Sequence, residues 1–115
     1  MEVQILFLQG AGEGAHEWDL DFVNQLQDSL GENYLVHFPK LPTEESPSYL
    51  PWKRKIEEEL RTIGKPLVVV GHSLGGSVFL KLLSEEISDL SFMGVFLLAC
   101  PFWGEPDWEV TEFTL

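Results

Sequence analysis

The chain has 115 residues, enough for one small domain and too few for two. Nineteen acidic residues against seven basic ones give a net charge of −12, which repels phosphate backbones and anionic lipid, so no nucleic acid and no membrane is expected as a partner. The single cysteine, Cys100, excludes an internal disulfide and a multi-cysteine metal site, while 44% hydrophobic residues suffice for a packed core.

The first apolar run, Val3 to Leu8, is nearly continuous and predicts a strand buried on both faces. Gly10, Gly12 and Gly14 break it. A helix is expected from about Trp18 to Leu30, with Leu20, Val23, Leu26 and Leu30 on one face, Phe22 joining them, and Gly31 closing it. Tyr34 to Phe38 predicts a second strand, stopped by Pro39. Three prolines and several small polar residues make 40–51 a loop. A second helix runs from about Pro51 to Ile63, with Trp52, Ile56, Leu60 and Ile63 on its apolar face and Gly64 at its end. Leu67 to Val70 is β-branched and fully apolar, a third strand. Leu74 to Ile87 is a third helix, and Phe92 to Ala99 holds a fourth strand. After Pro101 no period is visible.

The order βαβαβαβ implies a parallel α/β sheet with flanking helices and right-handed crossovers. In such sheets functional groups collect beyond the carboxyl ends of the strands. That rule points to the Gly10–Gly14 loop, the Gly71–Gly76 turn and the segment after Ala99. Cys100, at a strand end, reads as a buried and inert thiol.

Gly71-His72-Ser73-Leu74-Gly75 matches G-x-S-x-G, with an apolar strand leading in and an amphipathic helix leading out. In this setting Ser73 is the expected nucleophile, lifted by a sharp turn so that Oγ stands above the sheet. The alternative is a strand-to-helix turn whose serine merely caps the helix. Gly71, Gly75 and Gly76 stand where a Cβ would collide with neighbouring backbone. The Leu74 N–H, at a helix N-terminus, is one expected oxyanion donor. The Ala11 N–H, between Gly10 and Gly12, is the second, and Gly10, Gly12 and His16 are candidate substrate-contacting residues. The glycines do not fit G-x-G-x-x-G and no G-K-[ST] follows, so nucleotide binding is not expected.

These residues resemble the α/β-hydrolase family, and within it the small serine-hydrolase branch that includes retinoblastoma-binding protein nine and bacterial relatives. The resemblance rests on Leu8-Gln9-Gly10, the Trp18 helix, the Phe38-Pro39 strand end and Gly71–Gly76. Many members carry histidine where this chain has Gln9. The resemblance implies a strand order of 2-1-3-4, a Ser–acid–His triad, and hydrolysis of a small acyl substrate (ester, thioester or amide) through an acyl-enzyme. No His, Cys, Asp or Glu cluster has metal-ligand spacing, and no cofactor is expected.

The triad histidine has no counterpart among the three histidines present. His72 is expected to pack on the sheet top, His37 to be structural, and His16 to lie at the surface, at a helix start or at a pocket mouth. Asp107 is the candidate acid, because some relatives place theirs after the equivalent of the fourth strand. Asp19, Asp21, Asp28 and Asp89 read as solvated or capping groups. Residues 1–115 are thus expected to be the N-terminal half of a single hydrolase domain, truncated before its last two strands, with base and acid outside the chain. The exposed fourth strand then calls for a missing C-terminal half or self-association, and Trp103, Trp108 and Phe113 have little to pack on. The alternative is a non-catalytic interaction module on a shortened hydrolase scaffold. No basic leader and no apolar run near the roughly 20 residues of a membrane span is visible, so a cytoplasmic location is the expectation.

Overall fold

A computed structural model describes residues 2–85, 91–101 and 111–113. Four strands, β1 (Val3–Leu8), β2 (Tyr34–His37), β3 (Leu67–His72) and β4 (Gly94–Leu98), form one sheet in the order β2-β1-β3-β4. All three pairings are parallel, as the expected βαβ crossovers require. Leu8 lies opposite Gly71, and His72 opposite Leu98, so the carboxyl ends of β1, β3 and β4 finish side by side.

Alternation along β1 divides the core between two faces. Leu6 and Leu8 point to the side covered by α2 (Tyr49–Thr62) and α3 (Leu74–Glu85), where they meet Trp52, Ile56, Val78, Phe79 and Leu82. Ile5 and Phe7 point to the side covered by α1 (Ala15–Leu30) and pack with Val23 and Val70. Trp52 is fully buried, and its Nε1–H donates to the Pro42 carbonyl at 2.7 Å, so the 40–51 loop is pinned under α2. Pro51 lies inside the first turn of α2 without breaking it, because N–H groups there have no intrahelical acceptor to lose.

Several expectations shift. The first helix begins at Ala15, three residues before Trp18, with Gly14 in the left-handed region at φ 77° as its cap. The second begins at Tyr49 and ends one residue before Ile63, which caps it in extended conformation. The third strand runs two residues further than Val70, to His72. Ile87 lies outside the described residues. Phe113, expected to lack a neighbour, is buried in the α2–α3 core against Tyr49, with ring centroids 6.5 Å apart. Trp103 and Trp108 lie outside the described residues.

Among the described residues, the α1 side of the sheet is only half covered. Alpha-1 lies over β1 and β2, and beyond it an apolar trough of about 540 Å³ runs between Phe22 and Leu26 on the helix and Val68, Val70, Phe96 and Leu98 on β3 and β4. Phe96 is 58% exposed, and Met93, Val95, Leu97 and Leu98 are exposed beside it. Among the described residues no helix is long and apolar enough to cross a membrane.

Candidate active site

The link between β3 and α3 is a single residue. Ser73 fills it at φ 52°, in the left-handed region that non-glycine residues rarely occupy. Its N–H donates to the Leu98 carbonyl at 2.8 Å, and its own carbonyl accepts from the Gly76 and Ser77 N–H groups at 3.1 and 3.2 Å. A residue so placed costs about 1–3 kcal/mol and persists only where the surroundings fix it.

Close packing does the fixing. A Cβ on Gly75 would sit 2.8 Å from the Leu8 carbonyl oxygen and closer still to that of Gln9. On Gly76 it would meet the Gly71 carbonyl oxygen at 3.0 Å and overlap Cys100 Sγ. The start of α3 therefore lies hard against the ends of β1 and β3, and the chain can enter the helix only by turning sharply at Ser73.

Beside Ser73 opens a cavity of about 270 Å³. His72 and Ser73 contribute from the turn, Gly10, Ala11 and Glu13 from the loop after β1, and Ala15, Trp18 and Asp19 from α1. Trp18 is 82% exposed at this opening. The loop comes close to the turn: a Cβ on Gly10 would lie 3.3 Å from Ser73 Cβ.

Two carboxylates hold that loop. Asp19 Oδ2 accepts from the Gly10 N–H at 3.1 Å and from His72 Nδ1–H at 3.0 Å. Glu44 accepts from the Gly14 N–H at 3.1 Å, the His16 N–H at 3.0 Å and Gln9 Nε2–H at 2.9 Å, while its backbone carbonyl takes the Gly12 N–H at 2.7 Å. Gln9 is itself fully buried and accepts the Leu41 N–H on Oε1 at 2.7 Å. The hydrogen bond from Gln9, followed by that from the His16 amide, holds the Glu44 carboxyl below the usual carboxylate range. Amides 10, 12, 14 and 16 are thus all engaged. The Ala11 amide is not among them, and Ala11 lines the cavity.

The structure brings Ser73, Gly10 and Ala11 together with Leu74, which opens α3 one residue after the turn. Gly12 and His16 are not in the cavity wall. His16 instead stacks on Phe38, with ring centroids 3.9 Å apart, and its Nε2–H donates to the Phe38 carbonyl at 3.1 Å. His72 does more than pack: it lines the cavity and pairs with a carboxylate. His37 is structural, its Nε2–H donating to Gln4 Oε1 at 2.7 Å. Asp107 and Asp89 lie outside the described residues. Asp21 and Asp28 are exposed, as expected.

Asp19 overturns its reading as a solvated or capping group, being 9% exposed and turned inward. The sequence does hold a signal for it. Asp19 stands one turn before Val23 on the buried stripe of α1, the place assigned to Leu20, which is 41% exposed instead. No local pattern marks Glu44, which reaches Gln9 across 35 positions. Cys100 is half-buried rather than fully so, and burial pushes its thiol pKa up. Among the described residues no three His, Cys, Asp or Glu side chains are grouped to hold a metal ion.

The model of the Alpha/beta hydrolase family matches residues 5–114. The chain belongs to that family. No curated protein matches its sequence. Among solved structures it is similar to the pyrethroid hydrolase PytH, at 16% identity and a TM-score of 0.58, and to a pyrethroid hydrolase from Sphingobium faniae JZ-2, at 18% identity and a TM-score of 0.57. In both cases 90% of this chain is matched but only 42% of the solved one, so the alpha/beta hydrolase fold seen here spans less than half the length of those relatives.

Proposed function

We propose that the chain carries the nucleophilic half of a serine hydrolase that cleaves a carboxylic ester, thioester or amide. The observation that carries this reading is Ser73 at φ 52°, held between β3 and α3 on the wall of the cavity. Ser73 Oγ bonds to the carbonyl carbon as its proton passes to a base, and the carbonyl π pair moves onto oxygen. The Leu74 and Ala11 N–H groups hold that oxyanion, helped by the positive end of α3. Collapse expels the leaving group, which takes the proton. Water then repeats the attack on the acyl-enzyme and frees Ser73.

In this proposal the base and its acid come from beyond these 115 residues, or the acid is Asp107. The 42% coverage of the pyrethroid hydrolases supports the first arrangement.

A fluorophosphonate probe applied to the full-length protein tests the reading. One adduct is expected, on the peptide containing Ser73, and none in Ser73→Ala. An unlabelled wild-type protein sinks it. The exposed β4 and the trough beside it favour a second reading, a non-catalytic interaction module. That reading predicts no adduct and a partner that covers Phe96.

A further inference from the structure

Glu44 holds the Gly12 and Gly14 amides of the loop after β1, yet one contact ties this loop to the serine turn itself. Gly10 follows β1 by two residues, and His72 is the last residue of β3. A single oxygen of Asp19 accepts a hydrogen bond from each of them, at 3.1 and 3.0 Å. Asp19 reaches both from a third element, the second turn of α1.

We propose that Asp19 is a positioning residue that sets the distance between the oxyanion loop and Ser73; the inference rests on the serine-hydrolase reading above. A buried carboxylate has to find donors, and these two satisfy it at one point above the sheet. With the Gly10 N–H held by Asp19, the loop is anchored one residue before Ala11, which lines the cavity. The second bond fixes the His72 ring in the cavity wall beside Ser73. Charge is not the requirement. An oxygen that accepts two hydrogen bonds is, and the closeness of Gly10 to the Ser73 Cβ position is the quantity it controls.

Asparagine at this position keeps such an oxygen, and alanine removes it. The test is the second-order rate of Ser73 modification by a fluorophosphonate in the full-length protein, with thermal unfolding recorded in parallel. Asp19→Ala is expected to react about tenfold to a hundredfold more slowly than wild type, because a loop displaced by about 1 Å misplaces the donor. Asp19→Asn is expected to recover most of that rate. Hydrogen exchange at the Gly10 amide reads the contact directly and should lose protection in Asp19→Ala only.

A rate in Asp19→Ala equal to wild type overturns the proposal and leaves the serine reading intact. So does a fall in rate no greater than the fraction unfolded, or an asparagine variant as slow as alanine. If wild type itself is unmodified, the serine reading fails, and the positioning role with it.

Discussion

Gln9 Nε2–H donates to Glu44 Oε1 at 2.9 Å, which fastens the loop after β1 to the loop after β2. The resemblance to the hydrolases leads one to expect histidine at position 9. Here an amide that both donates and accepts stands there, because it must serve Glu44 on one side and the Leu41 N–H on the other.

Glu44→Gln places an amide NH₂ against donors that now face a carboxylate. The expected loss is about 1–3 kcal/mol, read by urea unfolding at neutral pH. The pH dependence follows from the direction of the shift. The folded carboxyl ionises below its unfolded value of about 4.3, so its stabilisation is complete above that value and is lost as pH falls through the folded one. Wild type should therefore lose urea resistance more steeply than Glu44→Gln on acidification below about pH 4. Parallel curves would remove Glu44 from the account.

Gly75→Ala and Gly64→Ala separate crowding from propensity. The first drives a Cβ into the Leu8 and Gln9 carbonyls and should cost about 3 kcal/mol or more, with a matching fall in Tm. The second meets nothing within 4 Å and should leave Tm unchanged or raise it slightly. Similar Tm values for the two would mean that α3 is not pressed against β1.

Ser73→Gly should abolish probe labelling while holding or slightly raising stability. Glycine occupies φ 52° without the penalty a Cβ brings, about 1 kcal/mol or more, though it gains some freedom when unfolded. A variant clearly less stable than wild type would show that the serine side chain itself supports the turn.

The 115-residue chain should self-associate. Phe96 and its neighbours expose an apolar strip on a strand whose outer edge has no partner among the described residues. Sedimentation velocity across a concentration series should show growing species, and Phe96→Lys should shift the distribution toward monomer. A wild-type chain that stays monomeric at high concentration contradicts this.

The alternation of strands and helices and the apolar stripe of each helix were legible because apolar runs and helical spacing encode them directly, whereas the strand order 2-1-3-4 came from the resemblance to the hydrolases. Leu67 to Val70 could only be an inner strand, and Trp52, Ile56 and Leu60 could only be one buried stripe. The serine turn was legible for a similar reason, since its glycines lie within five residues of one another. Asp19 was not. Periodicity ranks positions by hydrophobicity, and a carboxylate on a buried stripe scores as solvent-facing unless its donors are known, and those lie 9 and 53 residues away. For His16 the place after a glycine-rich loop left a pocket mouth and a helix start both open, and because α1 begins at Ala15 the residue lies in its first turn and stacks on Phe38.

The crowding of α3 against β1 involves only main-chain atoms and glycines, so the heading it imposes at position 73 belongs to the backbone and not to a hydroxyl. Under the serine-hydrolase proposal, any short side chain grafted there, a thiol or a carboxylate, would inherit the same aim, which would make this bend a socket for exchanging one reagent for another.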